Sequence, residues 1–168
     1  MPISMYNQSV PVLSKYLKNM VLILDKTAAH CEANKIDPTV LLNFRLYPDM
    51  FPFTRQVLIA TDFARGSAAR LIGTEPSKEA DDMATIPELK ARVERAIASI
   101  EALKEEQFVG SETRSISRTI GGKEHTFNGL QYLTYFTLPN FYFHLTAAYA
   151  VLRHNGVVLG KSDFLNGY

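Results

Sequence analysis

Residues 140–168 read NFYFHLTAAYAVLRHNGVVLGKSDFLNGY, and the reading of this stretch decides the fold. It holds two of the four histidines, an Asn four residues before one of them, and a helix-stop signal, Asn155-Gly156. Glycine just past an apolar run ends a helix because it takes the left-handed backbone conformation without a Cβ clash. Extended backwards, the segment predicts a helix over 129–154. Pro139 should bend or break it, since proline has no N–H and its ring crowds the preceding turn. The tail, 157–168, reads as extended and half apolar.

Three more helices are expected upstream. Leu13, Leu17, Met20 and Leu24 step by four, three and four, which is one helical face over about 10–34, with Pro11 in the first turn. A connector with three prolines follows, KIDPTVLLNFRLYPDMFPF, with one short helical turn over 39–44. The second helix, 54–73, carries Leu58, Ile59, Phe63, Leu71 and Ile72. A strip of small residues, Ala60, Ala64, Ala68 and Ala69, allows close approach of a neighbour. The third opens on a capping box, Thr85-Ile86-Pro87-Glu88, in which the Thr oxygen takes an orphan N–H and the Glu reaches back. Its stripe is Ile86, Leu89, Val93, Ile97, Ile100 and Leu103. Glu88, Arg92, Glu94, Lys104 and Glu105 read as its solvated face.

Between helices three and four, Ile116 and Ile120 alternate with polar residues, Gly121-Gly122 supplies a tight turn, and Phe127 lies on the return arm. That is a β-hairpin signal. Four long amphipathic helices with one hairpin make an all-α four-helix bundle, expected as a single domain over 1–168.

Composition narrows the function classes. Eighteen basic residues face seventeen acidic ones, so the overall balance carries no nucleic-acid footprint. The first nine residues are polar with no apolar core, unlike a signal peptide. The run MVLIL is too short to span a bilayer. A single cysteine, Cys31, rules out an internal disulfide and fits a reducing compartment, so a cytoplasmic location is expected. No phosphate-binding glycine loop, His-Glu-x-x-His, Cys-x-x-Cys or nucleophile elbow is present.

The residues left to carry chemistry are few. Asn140 and His144 lie one turn apart on one helix face, as ligands converging into a bundle would. Gln56 opens the apolar stretch QVLIA, and a buried Gln needs partners. A pocket shared by Gln56, Asn140 and His144 would supply them. His154 lies about 80° around the helix from His144 and suits capping of the last carbonyls. Arg153 is placed to pair with Asp163. Cys31 and His30 point in different directions on their helix, and His125 should be exposed in the hairpin. Arg55, Asp62 and Arg65 read as a surface charge ladder.

Two segments, PDMFPFTRQVLIATDFARGSAARL and LPNFYFHLTAAYAVLRHNGVVLGKSDFL, together with HCEANKIDPTVLLNFRLYPDM, resemble a bacterial family, domain-of-unknown-function family 1993. The resemblance spans nearly the whole chain. It implies a DinB-like four-helix bundle. Many members of that superfamily hold a divalent metal with one histidine from helix two and a His-x-x-x-His pair from helix four, the second histidine twelve residues before the terminating Gly. His144 stands at that distance from Gly156, so Asn140 falls where the first histidine would be and Gln56 near the helix-two position. One His with two amides is a poor donor set for zinc or nickel. The resemblance thus implies a small-molecule-binding or stress-related protein with a degenerate metal site. The alternatives are a metal- or thiol-dependent transferase-type enzyme, with His144 as base or residual ligand, and a non-catalytic self-associating bundle. A homodimer is expected, with Tyr132, Tyr135, Phe136 and the apolar tail as its surface.

Overall fold

The computed structural model describes residues 4–166. Four long helices form the body: α1 (Met5–Asn34), α3 (Phe53–Leu71), α4 (Ile86–Glu101) and α6 (Leu138–His154). Short α2 (Pro38–Leu42) lies in the connector, α5 (Gly129–Gln131) leads towards α6, and α7 (Lys161–Leu165) lies in the tail. Helix α3 is central, packed against α6 on one side and α4 on the other, and α1 packs against α4 and α7. Leu13, Leu17, Leu24, Val57, Ala60, Ala64, Leu89, Val93, Leu145 and Ala148 meet in one buried core. Ala60, Ala64 and Ala68 of α3 are buried, which lets its neighbours come close, while Ala69 is only half-buried.

Helix α1 begins earlier than its apolar stripe suggests. Ser4 caps it by accepting the Asn7 N–H, so Pro11 lies inside the helix rather than in its first turn. Pro11 is exposed, so the carbonyl it leaves unpaired lies on the wet side of the helix. The capping box at Thr85 forms as the sequence implies: Thr85 Oγ1 accepts from Glu88 N–H, and Glu88 accepts from Thr85 N–H.

The hairpin pairs β1 (Ser115–Ile120) antiparallel with β2 (Lys123–Asn128), in the register Ile120↔Lys123 to Ser115↔Asn128. Gly121 and Gly122 both have positive φ, 57° and 79°, as a two-residue turn matched to strand twist requires.

Pro139 leaves a local signature. Tyr132–Thr137 is a π-helical segment, and the Leu138 N–H donates to Leu133 O, five residues back. Widening the turn just before a proline relieves the clash between its ring and the preceding carbonyl. The helix therefore continues through 129–154 without breaking.

Three expectations are corrected here. The tail is not extended throughout: it folds into α7, and Val157, Leu159 and Phe164 pack on the main core. Tyr132 is 1% exposed and belongs to a second core with Met5, Leu71, Phe108 and Ile116, so it is unavailable as a surface. Arg153 does not pair with Asp163. It donates to Leu159 O, while Asp163 binds Lys26 at 2.6 Å.

Candidate functional site

Helices α3 and α6 bring Gln56 and His144 together. Gln56 sits in the first turn of α3 and is 1% exposed. Its Nε2 donates to Phe51 O at 3.2 Å, and its Oε1 lies 2.7 Å from His144 Nδ1. The first contact fixes the amide's orientation, because only its NH2 can donate to a carbonyl. The oxygen must then face the ring, and His144 Nδ1 must carry the hydrogen. In the neutral ring the lone pair falls on Nε2, which makes no hydrogen bond among the described residues. Burial holds the His144 pKa below its ordinary 6.5, and the positive charge of Arg55 lowers it further. The ring is thus neutral at pH 7. It stacks on Phe63, centroids 6.0 Å apart at 22°, and meets Phe143 edge-on at 5.3 Å.

Asn140 does not join this pair by hydrogen bonding. Its Nδ2 donates to Phe136 O at 2.7 Å, inside its own helix and next to the π segment. Short amide side chains compete in this way for nearby backbone groups. The three side chains fit a metal poorly. Gln56 Oε1 is engaged by His144 itself, leaving one imidazole nitrogen and amide oxygens as donors. Among the described residues no group of three His, Cys, Asp or Glu could hold a metal ion.

The other histidines and the cysteine stay apart from this pair. His154 is exposed in the last turn of α6, against Phe44. His30 Nδ1 accepts from Asn34 Nδ2 on its own helix. Cys31 is buried, and burial pushes its thiol pKa up, which removes it as a nucleophile. His125 is exposed on β2.

A second polar centre was not legible as a site. Arg92, read as solvated, is fully buried between α3 and α4. Its Nη2 donates to Asp62 at 2.6 Å and its Nη1 to Glu79. Glu79 also binds Arg65 at 2.7 Å and Arg95 at 2.6 Å. Arg55, Asp62 and Arg65 are therefore not a ladder on one helix. Each pairs outside α3, Arg55 with Asp81, and the connector between α3 and α4 is tied down by these bonds. A partial signal existed: Arg92 is three residues after Leu89 and four before Ala96, both fully buried.

Beside Phe63 a cavity of about 450 Å³ opens between α3, that connector, β1 and the π segment. Its lining includes Phe63, Ser67, Arg70, Lys78, Arg118 and Tyr132, and does not include Gln56, Asn140 or His144.

Comparison with known proteins fits this architecture. The family model described as "Domain of unknown function (DUF1993)" matches residues 5–165. The crystal structure of a DinB family member protein from Shewanella denitrificans is 40% identical, with a TM-score of 0.91. The match covers 97% of this chain and 92% of that one. No curated protein matches the chain. No helix among the described residues is long and apolar enough to cross a membrane. The chain belongs to the DUF1993 family and has the DinB-like bundle.

Proposed function

We propose that this DUF1993 member is a small-molecule-binding bundle in which the Gln56–His144 pair offers one neutral imidazole nitrogen to a ligand, without a metal. The observation that carries the reading is the bonded chain Phe51 O–Gln56–His144. It spends Nδ1 and leaves Nε2 as an acceptor beside Phe63 and Phe143. A fixed tautomer of a buried, uncharged ring is a recognition element for a hydroxyl or amide N–H, and ligand sites of this kind combine few polar groups with aromatic walls. A cytoplasmic setting suits the single buried Cys31.

Elemental analysis of untagged protein purified without chelator, beside His144→Ala, tests the metal-free part. The expected result is no stoichiometric metal in either protein. About one divalent metal per chain, lost in the variant, would instead support the metal-dependent transferase reading, with His144 as its residual ligand. A thermal-shift screen of neutral hydrogen-bond donors tests the rest, with hits on the wild type that vanish in His144→Ala.

Self-association is the second reading, favoured by the exposure of Tyr135 (76%) and Phe143 (58%), about two turns apart on the last long helical stretch. Light scattering at micromolar concentration decides it: a dimer mass that reverts to monomer in Tyr135→Ser supports it, and a monomer mass for the wild type ends it.

A further inference from the structure

The cavity beside Phe63 has a charge pattern of its own. Three cations on its wall, Arg70, Lys78 and Arg118, form no ion pair among the described residues. Of the three carboxylates lining it, Asp62 and Glu79 are already bound by Arg92, Arg65 and Arg95, which leaves Glu75 alone to offset them. The wall therefore keeps a positive excess.

Two of these cations, Arg118 and Arg70, meet no carboxylate among the described residues. Arg118 Nε is buried and has no hydrogen-bond partner. Its side chain makes no hydrogen bond or ion pair among the described residues, so its guanidinium has N–H donors to spare for an acceptor in the cavity. Arg70 lies folded back along α3, where its Nη1 donates to Gly66 O at 2.9 Å and lies 3.4 Å from Tyr132 Oη. That path exists because residue 66 is glycine: a Cβ there would sit 2.7 Å from Arg70 Nη1. The remaining wall is apolar and aromatic, from Ile59, Phe63 and Tyr132, and Ser67 is bonded to Thr137 at 2.8 Å. A volume of about 450 Å³ suits a compact organic molecule.

We infer that this cavity binds a small organic anion, with Arg118 and Arg70 on its carboxylate or phosphate group and Phe63 against an aromatic body. Arginine is suited to both oxyanions because its planar fork meets two oxygens at once. The inference stands on groups other than Gln56 and His144, so it does not depend on the reading of that pair.

Calorimetric titration of the full chain at low ionic strength tests it with four probes: phenyl phosphate, benzoate, inorganic phosphate and neutral benzyl alcohol. Phenyl phosphate or benzoate should bind more tightly than the other two, and which of them wins assigns the oxyanion. Arg118→Gln should weaken that binding about tenfold or more, the loss of one charge-assisted contact. The Arg118 side chain makes no hydrogen bond among the described residues, and the backbone pairing of β1 does not depend on it, so this variant should keep the wild-type melting temperature. Lys78→Ala, on the exposed connector, is the second variant and should weaken binding less. Absence of binding by both aromatic anions at millimolar concentration overturns the inference. So does binding that neither variant changes, which would mark an adventitious surface contact.

Discussion

Helix α3 makes a buried polar contact on each of two flanks, and the contacts are of opposite kinds. Towards α4 it meets Arg92, a fully buried cation shared by Asp62 and Glu79. Towards α6 it meets His144, a neutral ring bonded to a neutral amide. On the first flank both terminal nitrogens of Arg92 bind carboxylates and only its Nε lacks a partner, so the charges are paired and the cluster holds the connector in place. On the second flank one bond is made and one nitrogen is left over. Leaving a buried charge without a counter-ion costs far more than leaving one nitrogen of a neutral ring open. The first arrangement is therefore suited to structure and the second to recognition.

Removing a partner should show this contrast most strongly on the charged flank. Glu79→Ala strips Arg92 of one carboxylate and frees the connector, and should cost about 2–3 kcal/mol, below the full cost of breaking a buried pair because Asp62 remains. Urea denaturation measures it; a loss under about 0.5 kcal/mol would mean the cluster is no more than surface pairing. Gln56→Leu should cost less, about 1–2 kcal/mol, by leaving His144 Nδ1 and Phe51 O without their partner.

The pH dependence separates the flanks further. His144 has its folded pKa below 6.5, so as pH falls the unfolded chain takes the proton first. The stability that its neutral form contributes is complete above pH 6.5 and is lost as pH falls through 6.5 towards the lowered folded value. Stability curves between pH 7 and 5 should show this decline in the wild type. Gln56→Glu should shrink or reverse it by turning the neutral pair into an ion pair, making the second flank resemble the first. An unchanged slope would mean that His144 does not titrate as assigned.

The smallest effect belongs to Asn140→Ala. Losing the bond to Phe136 O should cost about 0.5–1 kcal/mol and leave the His144 titration unmoved. A shifted titration would put Asn140 back in the site.

The sequence carried the architecture well, for physical reasons visible in particular residues. The stripes of α1 and α4, the Thr85–Glu88 capping box and the Gly121-Gly122 turn are local features, and local features are readable one segment at a time. The amide of Gln56, opening an apolar stretch and so in need of partners, also pointed to a shared site with His144, its hydrogen-bond partner across the bundle. Asn140 was harder, since spacing says which face a side chain starts from and not whether it turns back to its own carbonyl. Arg92 was harder still. Asp62 and Glu79 are thirty and thirteen residues away, and their convergence depends on packing that no periodicity encodes.

The most direct test is nitrogen-15 NMR of the His144 ring across pH 5–8, in metal-free protein. The expected result is a neutral ring at pH 7 with its hydrogen on Nδ1, a titration midpoint below 6.5, and loss of the tautomer preference in Gln56→Leu. A ring protonated on Nε2 at pH 7, or one that titrates above 6.5, would contradict it, because Nε2 would then not be the open acceptor on which the proposed function depends.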